Sequence, residues 1–493
     1  MSTAAVRREA LPDFDATRAP EQLTPLGRLE ALCDPGSLHV IRSEVHSKRM
    51  GDRARPGDGV IGAAGRVEGR PVFCYAQDTS FAGGSLGEAH ADTVVRVLRL
   101  AGQAQAPVVG FIASAGARMQ EGLAALGGYG RIFHENVRLS GKVPQISIIA
   151  GTSAGGGSYS PALTDFVVMT EDAAMFLTGP GIVKEVMGED VTASELGGAR
   201  VHERNGVSQL TVPDAEAGAR MARKLLAHLP AHSGVDAQAH PSRPALPGDP
   251  GRIVPAEPRR VYDVRDVIGR IVDEGDLLEI SPRWARNMVV GFARLEGRAV
   301  GIVANQPKWL GGVLDAEASQ KAARFVRTCN TFNLPLLVLV DTPGFMPGTR
   351  QEGAGVIRHG AKLLHAFAEA TVPRLTVVLR KAYGGAYITM NSKDLGAHFT
   401  FAWPDAELGV MGAGQAVSIV HRRQIAEAED PAGERSRLAD AYAGEHLLAQ
   451  TAAREGFVDE IITPADTRAR LAWGLHTLAG RERTTSGLGN IPL

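Results

Sequence analysis

The stretch VPQISIIAGTSAGGGSYSP, residues 143–161, returns 229 residues later as VPRLTVVLRKAYGGAY, residues 372–387. In both, a proline introduces a short apolar run, and the chain then breaks on a glycine doublet, Gly155-Gly156 in the first and Gly384-Gly385 in the second. Such a run, ended by glycine, reads as a strand covered on both faces that hands over to a helix. Its recurrence makes the whole chain a candidate repeat.

Working outward, EGRPVFCYAQD from Glu68 matches EGRAVGIVANQ from Glu296, and Gly83-Gly84 match Gly311-Gly312, each at an interval of 228. Pro107, opening PVVGFIAS, matches Pro335, opening PLLVLVDT, and Gly116 of SAGAR matches Gly344 of TPGF at the same interval. The interval is 229 from Pro144 and Pro373 onward, so the register slips once, by one residue. Each copy runs strand pair, glycine doublet, amphipathic helix, buried strand, glycine turn, helix, buried strand. The helix is clearest in SQKAARFVRTCNTF, where Ala322, Phe325, Val326 and Cys329 stand at i, i+3, i+4 and i+7. The fold class is α/β, one unit built twice.

At 493 residues the chain exceeds one ordinary core, and 44% hydrophobic residues suffice for two. Residues 230–258 carry seven prolines and little apolar periodicity. They divide the chain into an N-terminal domain, residues 1–235, a Pro-rich linker, 236–258, and a C-terminal domain, 259–493. Lys and Arg number 53 against 54 Asp and Glu, so no net charge recruits a polyanion and nucleic acid is not an expected partner. Cys33, Cys74 and Cys329 lie too far apart in sequence for a C-x-x-C zinc ribbon or a disulfide framework, and the 14 histidines include no H-E-x-x-H. No bound metal is expected. MSTAAVRREALPDFD lacks an apolar signal core and no membrane-length apolar run follows, which points to the cytoplasm rather than a membrane.

The glycines of the first copy admit three functional readings. Gly151-Thr152-Ser153-Ala154-Gly155 has the form of a nucleophile elbow, but GGSLG at Gly83–Gly87 has it too, and the repeat partner of Ser153 is Ala382. A Walker A loop needs lysine where Gly157 and Ser158 stand, and a dinucleotide fingerprint needs glycine at Ser160. What remains is a strand end whose bare N–H groups hold an oxyanion at a helix start, set against plain tight packing of helix on sheet. A reaction passing through two oxyanions would need the device twice.

QDTSFAGGSLGEAHADT, GARMQEG, VPQISIIAGTSAGGGSYSPALTDFV, TGPGIVKEVMGEDV, GFARLEGRAVGIVANQP, DTPGFMPGTRQE, RKAYGGAYITMNSKDLGA and FAWPDAELGVMG together resemble the β, or carboxyltransferase, subunit of biotin-dependent acyl-CoA carboxylases. The likeness runs from LTPLGRLEALCDPGS at Leu23 to GNIPL at the end. It implies two tandem crotonase-like (ββα-spiral) domains. It also implies transfer of a carboxyl group from carboxybiotin to the α-carbon of acetyl-CoA or propionyl-CoA, giving malonyl-CoA or methylmalonyl-CoA. The sequence has no biotinyl-lysine MKM, so biotin is expected on a partner, a biotin carboxylase/biotin carrier subunit, with room for a small accessory subunit. On this resemblance Gly155, Gly156 and Gly157 hold the thioester oxygen, while Gly385 and Ala386 hold the biotin oxygen. Gly116, Ala117, Arg118, Tyr159, Gly384 and Ile388 line the substrates. The two holes are expected to meet across a dimer, N-terminal half against C-terminal half, with three dimers forming a homohexamer.

Two departures matter. The family's DSGGAR is ASAGAR here, with Ala113 for the acid and Ala115 for a glycine, on the turn expected to face acyl-CoA. Ile388 accompanies acceptance of acetyl-CoA in relatives, where aspartate accompanies a propionyl preference; its bland reading is plain core. Arg118 suits a CoA phosphate or a salt bridge that fixes its own loop, and Lys381 carries the same ambiguity. The mixed-charge region after Gly409 reads as solvated helices. Rival functions are the reverse reaction, in a transcarboxylase or decarboxylase, and a non-catalytic assembly subunit.

Overall fold

A computed structural model describes residues 23–257 and 260–480. The N-terminal MSTAAVRREALPDFD, Pro258 and the closing GNIPL lie outside the described residues. The chain divides into two compact units at Ala227/His228. The Pro-rich stretch belongs with the second, where the N–H of His240 donates to Gly297 O at 3.0 Å and that of Leu246 to Gly269 O at 3.0 Å.

In the first unit the strands are β1 (His39–Ile41), β2 (Val60–Val67), β3 (Arg70–Gln77), β4 (Val108–Ser114), β5 (Gln145–Ala154), β6 (Phe166–Thr170), β7 (Ala174–Phe176) and β8 (Leu210–Val212). They lie in the order β1-β2-β3-β4-β5-β6-β8, with β7 on the far end of β5. β1, β2 and β3 are antiparallel, and from β3 onward the pairs are parallel. Parallel pairs need a crossover, and the helices Glu88–Ala104 and Leu123–Leu139 supply it. Val94, Val97, Leu98 and Ala101 of the first are buried in one cluster with Ile112, Ile149 and Val167.

The second unit repeats this strand for strand. Its strands are β9 (Leu278–Ile280), β10 (Met288–Leu295), β11 (Arg298–Asn305), β12 (Leu336–Thr342), β13 (Arg374–Tyr383), β14 (Phe399–Ala402), β15 (Glu407–Gly409) and β16 (Glu460–Ile461). They lie in the order β9-β10-β11-β12-β13-β14-β16, with β15 on β13. Even the irregularities coincide: the β4–β5 register shifts between Ile112 and Ser114, and the β12–β13 register between Val340 and Thr342. Ala322, Phe325, Val326 and Cys329 are all buried on the helix Ala316–Thr331, as their spacing predicts. A side chain of phenylalanine size contributes about 1.5–3 kcal/mol when so buried.

After Gly409 come the helices Ala413–Val420, Arg422–Glu427 and Pro431–Tyr442, largely exposed, in line with the mixed charge of that region. Among the described residues no helix is long and apolar enough to cross a membrane.

Candidate active site

Both glycine turns sit where the central parallel strand of a unit ends. β5 runs beyond its neighbours, so its last residues pair with β7, Ala154 opposite Phe176. The chain then turns at Gly155, φ 58° and ψ −125°, a conformation that a Cβ excludes, and enters the helix Gly156–Ala162. In the second unit Gly384 has φ 59° at the end of β13 and opens the helix Gly384–Thr389. The amides of a helix's first turn have no acceptor within the helix, which is what makes them available to a ligand.

Three contacts sort the amides of the first turn. The Gly155 N–H donates to Phe176 O at 3.0 Å, so this glycine shapes the turn but is spent as a donor. That corrects its assignment among the oxyanion donors. The Tyr129 hydroxyl lies 3.5 Å from where a Gly157 Cβ would stand, on the inner side of the turn. Gly156 and Gly157 are the amides left over, and the Gly156 Cα faces the Tyr129 ring so closely that a Cβ would come within 2.6 Å of it. Ser158 ties the turn down: its N–H donates to Gly155 O at 3.0 Å, and its Oγ donates to Ser153 O and Phe176 O, each at 2.9 Å.

Ser153 is buried on β5 beneath the turn, its Oγ 2.8 Å from where a Gly157 Cβ would stand. A nucleophile must reach substrate, and this hydroxyl does not. In the second unit the positions of Ser153 and Gly157 are taken by Ala382 and Ala386, both buried. Without a hydroxyl beneath, the turn accepts a methyl group. Gly385 is exposed, its nearest side chain the ring of Phe345, 3.7 Å from a Cβ added there.

Arg118 is wholly buried. Its guanidinium pairs with Asp58 and with Glu121 at 2.9 Å, donates to Ser85 O at 2.9 Å and packs over the Phe81 ring. Glu121 in turn accepts from Ser47 Oγ and the Glu88 N–H, each at 2.7 Å. Arg118 therefore fixes the GARMQEG turn, and the phosphate contact among its two readings is set aside because the charge has no path to solvent. Burial lifts the Asp58 carboxyl above its ordinary pKa despite Arg118. For Glu121 burial pushes upward as well, but the Glu88 amide, Ser47 and Arg118 outweigh it and hold the group below its usual range.

The departures from DSGGAR also find their place. Ala113 is buried, its N–H bonded to Gln77 Oε1 at 3.0 Å, and it touches core rather than the turn surface. Its repeat partner is Asp341, which pairs with Arg380 at 3.0 Å, accepts from the Tyr262 hydroxyl at 2.9 Å and faces Lys381 at 3.6 Å. The first unit has Gly151 where Arg380 stands, and a Cβ there would lie 3.1 Å from that of Ala113. An acid at 113 would lack the guanidinium that its counterpart has, so acid and base are missing together. Ala115 is exposed at negative φ, where a methyl group costs nothing. Lys381 is held below its ordinary pKa by burial, which Asp341 offsets in part, and its place in this buried network is the bland one of its two readings.

Gly116, φ 95°, donates its N–H to Ser114 Oγ at 3.2 Å, while its carbonyl and the Arg118 N–H bracket Leu86. Ala117 lies between them, half-buried. Tyr159 and Ile388 occupy matching positions one turn after the glycines and are 52% and 45% exposed, so Ile388 is surface, not core. The match extends outward: Leu177 and Val410, whose carbonyls lie beside Gly155 and Gly384, are exposed, as are Val186 and Ile419, and Met187 and Val420, at equivalent positions of the two units. Tyr129, Ser114 and the Asp341–Arg380 pair escape a reading of single motifs. Aligning the two halves residue by residue would have exposed the 113/341 and 151/380 exchanges.

Residues 17–487 match the family model for the carboxyl transferase domain. The chain belongs to the carboxyl transferase family. It is 49% identical to the propionyl-CoA carboxylase carboxyltransferase subunit of Haloferax mediterranei, over 99% of this chain and 98% of that protein. It is 47% identical to the methylmalonyl-CoA carboxyltransferase 12S subunit of Propionibacterium freudenreichii subsp. shermanii, over 94% of this chain and 90% of that protein. A crystal structure of transcarboxylase 12S, described as a hexamer assembly with methylmalonyl-coenzyme A bound, superposes with a TM-score of 0.91 over 96% of this chain and 92% of that one. This carboxyltransferase is therefore an enzyme of two tandem crotonase-like units, as the repeat and the motif likeness imply. Among the described residues no group of three or more His, Cys, Asp or Glu side chains is disposed to hold a metal ion.

Proposed function

We propose that this carboxyltransferase moves a carboxyl group between biotin on a separate carrier protein and the α-carbon of a short acyl-CoA, acetyl-CoA or propionyl-CoA. The observation that carries the reading is the pair of matching main-chain turns, Gly155–Gly157 and Gly384–Ala386, each opening a helix at the end of a central strand. The thioester oxygen takes the first turn, with the Gly156 and Gly157 amides as its donors there; negative charge builds on that oxygen as the α-carbon loses its proton, and fixed N–H groups stabilise it without reorganising. The amides of Gly385 and Ala386 fit the ureido oxygen of biotin, since the turn is open at Gly385. Carboxybiotin supplies the activated carboxyl group. Positioning and N–H donation are what the chain's own residues contribute.

The exposed apolar residues at equivalent positions of the two units fit burial in an assembly of copies, and the hexamer of the 12S relative supports the same assembly here. The 12S relative also favours a second reading, transfer from methylmalonyl-CoA to biotin. Incubating the protein with labelled methylmalonyl-CoA and a biotinylated carrier, without ATP, tests both. Label on the carrier's biotin supports the site. Absence of label from both carboxyl-labelled malonyl-CoA and methylmalonyl-CoA, in protein that assembles normally, overturns it.

A further inference from the structure

We infer that Tyr129 is a positioning residue for the acyl-CoA turn, which its ring buttresses and its hydroxyl ties to the neighbouring turn. This rests on the assignment of Gly155–Gly157 to the thioester. Tyr129 lies on the helix Leu123–Leu139, is buried, and packs its ring beside Phe133 at 5.9 Å between centroids. The ring closes the space beside Gly156, where a Cβ would be 2.6 Å from it, and so sets how far the Gly156 amide can tilt. The hydroxyl lies 3.2 Å from Ser114 Oγ, and Ser114 Oγ accepts the Gly116 N–H, also at 3.2 Å. One side chain thus packs on Gly156 of one turn and reaches Gly116 of the other, through a serine at the end of β4.

The second unit lacks this link. There the ring beside the turn is that of Phe345, which has no hydroxyl and comes from the glycine turn itself rather than from the following helix; Thr342 Oγ1 accepts the Gly344 N–H at 3.3 Å and goes no further toward Gly385. The phenol acts on one oxyanion of the two. Its ring, packed on Gly156, keeps the turn from settling inward. By holding Ser114, it keeps the adjoining turn at a fixed spacing.

The test uses carboxyl transfer from methylmalonyl-CoA to free biotin. Tyr129→Phe keeps the ring and removes only the hydroxyl; Ser114→Ala breaks the link from the other side. Each is expected to lower kcat about tenfold, less than outright loss of an oxyanion donor, with both KM values within about threefold of the parent. The double variant is expected to be no worse than either single one, because both cut the same chain of contacts. A kcat unchanged in Tyr129→Phe, or losses that multiply in the double variant, overturns the inference. A rise in the KM for biotin with acyl-CoA kinetics unaffected would instead overturn the assignment of the turn itself. Thermal unfolding of each variant separates loss of the link from loss of folding, and Tyr129→Ala, which removes the ring too, is expected to lose stability as well as rate.

Discussion

Ser153 Oγ lies 2.8 Å from where a Cβ on Gly157 would stand, while the matching positions of the second unit pair Ala382 with Ala386. A hydroxyl below excludes a methyl above. Gly157→Ala is therefore expected to cost about 1–3 kcal/mol. Ser153→Ala alone should be close to neutral and leave turnover intact, and the double variant should recover most of the loss. Urea unfolding in a double-mutant cycle checks this, with a coupling of about 1 kcal/mol or more expected. Additive costs would contradict the steric pairing.

Arg118 answers two buried carboxylates. Arg118→Ala is expected to destabilise the protein by about 3–5 kcal/mol, because it strands Asp58 and Glu121. In protein that remains folded at low temperature, the KM ratio between an acyl-CoA and its 3′-dephospho analogue should not change. A changed ratio would show the phosphate contact that the geometry sets aside.

Acid should act on this cluster through Glu121. Its carboxyl is held below the ordinary range in the folded chain, so it contributes stability that is present above the unfolded carboxylate pKa, about 4, and is lost as pH falls through the lower folded value. Asp58 works with the opposite sign, since its folded pKa is raised. Glu121→Gln should flatten the fall of unfolding free energy below about pH 4, whereas Asp58→Asn should steepen the dependence just above about pH 4, between the unfolded and the raised folded value.

The two turns should answer differently to the same substitution. At Gly385 an added methyl group meets only Phe345, at 3.7 Å, so Gly385→Ala should fold with a Tm within about 2 °C of the parent. Its carboxyl transfer should fall at least about tenfold through the biotin side, leaving the acyl-CoA KM alone. Gly156→Ala drives a methyl into the Tyr129 ring and should lose stability first. Calorimetry with steady-state kinetics at varied biotin distinguishes the two.

Ile388 is nearly half exposed beside the second turn, where a substrate can meet it. Replacing it with aspartate should shift the acetyl-CoA to propionyl-CoA ratio of kcat/KM toward propionyl by about tenfold, the scale of one methylene's contacts. An unchanged ratio would remove Ile388 from acyl selection.

The repeat was readable because its markers are residues that backbone geometry demands. Glycines at 83 and 311, or 155 and 384, keep their φ values within a degree of each other, and a register slip would have scrambled them. Helix faces such as Ala322, Phe325, Val326 and Cys329 were readable because burial imposes their period. Roles within the turn were not, because they depend on which carbonyl happens to lie opposite. Gly155, Gly156 and Gly157 are the same residue in sequence, and only β7 and Tyr129 distinguish them. Arg118 shows the same dependence: of its two readings the salt bridge holds, and what decides it is Asp58, far back in the chain, lying against the guanidinium.

The exchange of Ser153 and Gly157 for Ala382 and Ala386 also limits how the protein can be re-engineered. A graft that moves only the loop from one half into the other would set Ala386 on top of Ser153 and jam. The smallest portable cassette is the loop together with the strand that carries it, and chimeras cut at the glycine boundary are expected to fail where those cut before Gln145 or Arg374 succeed.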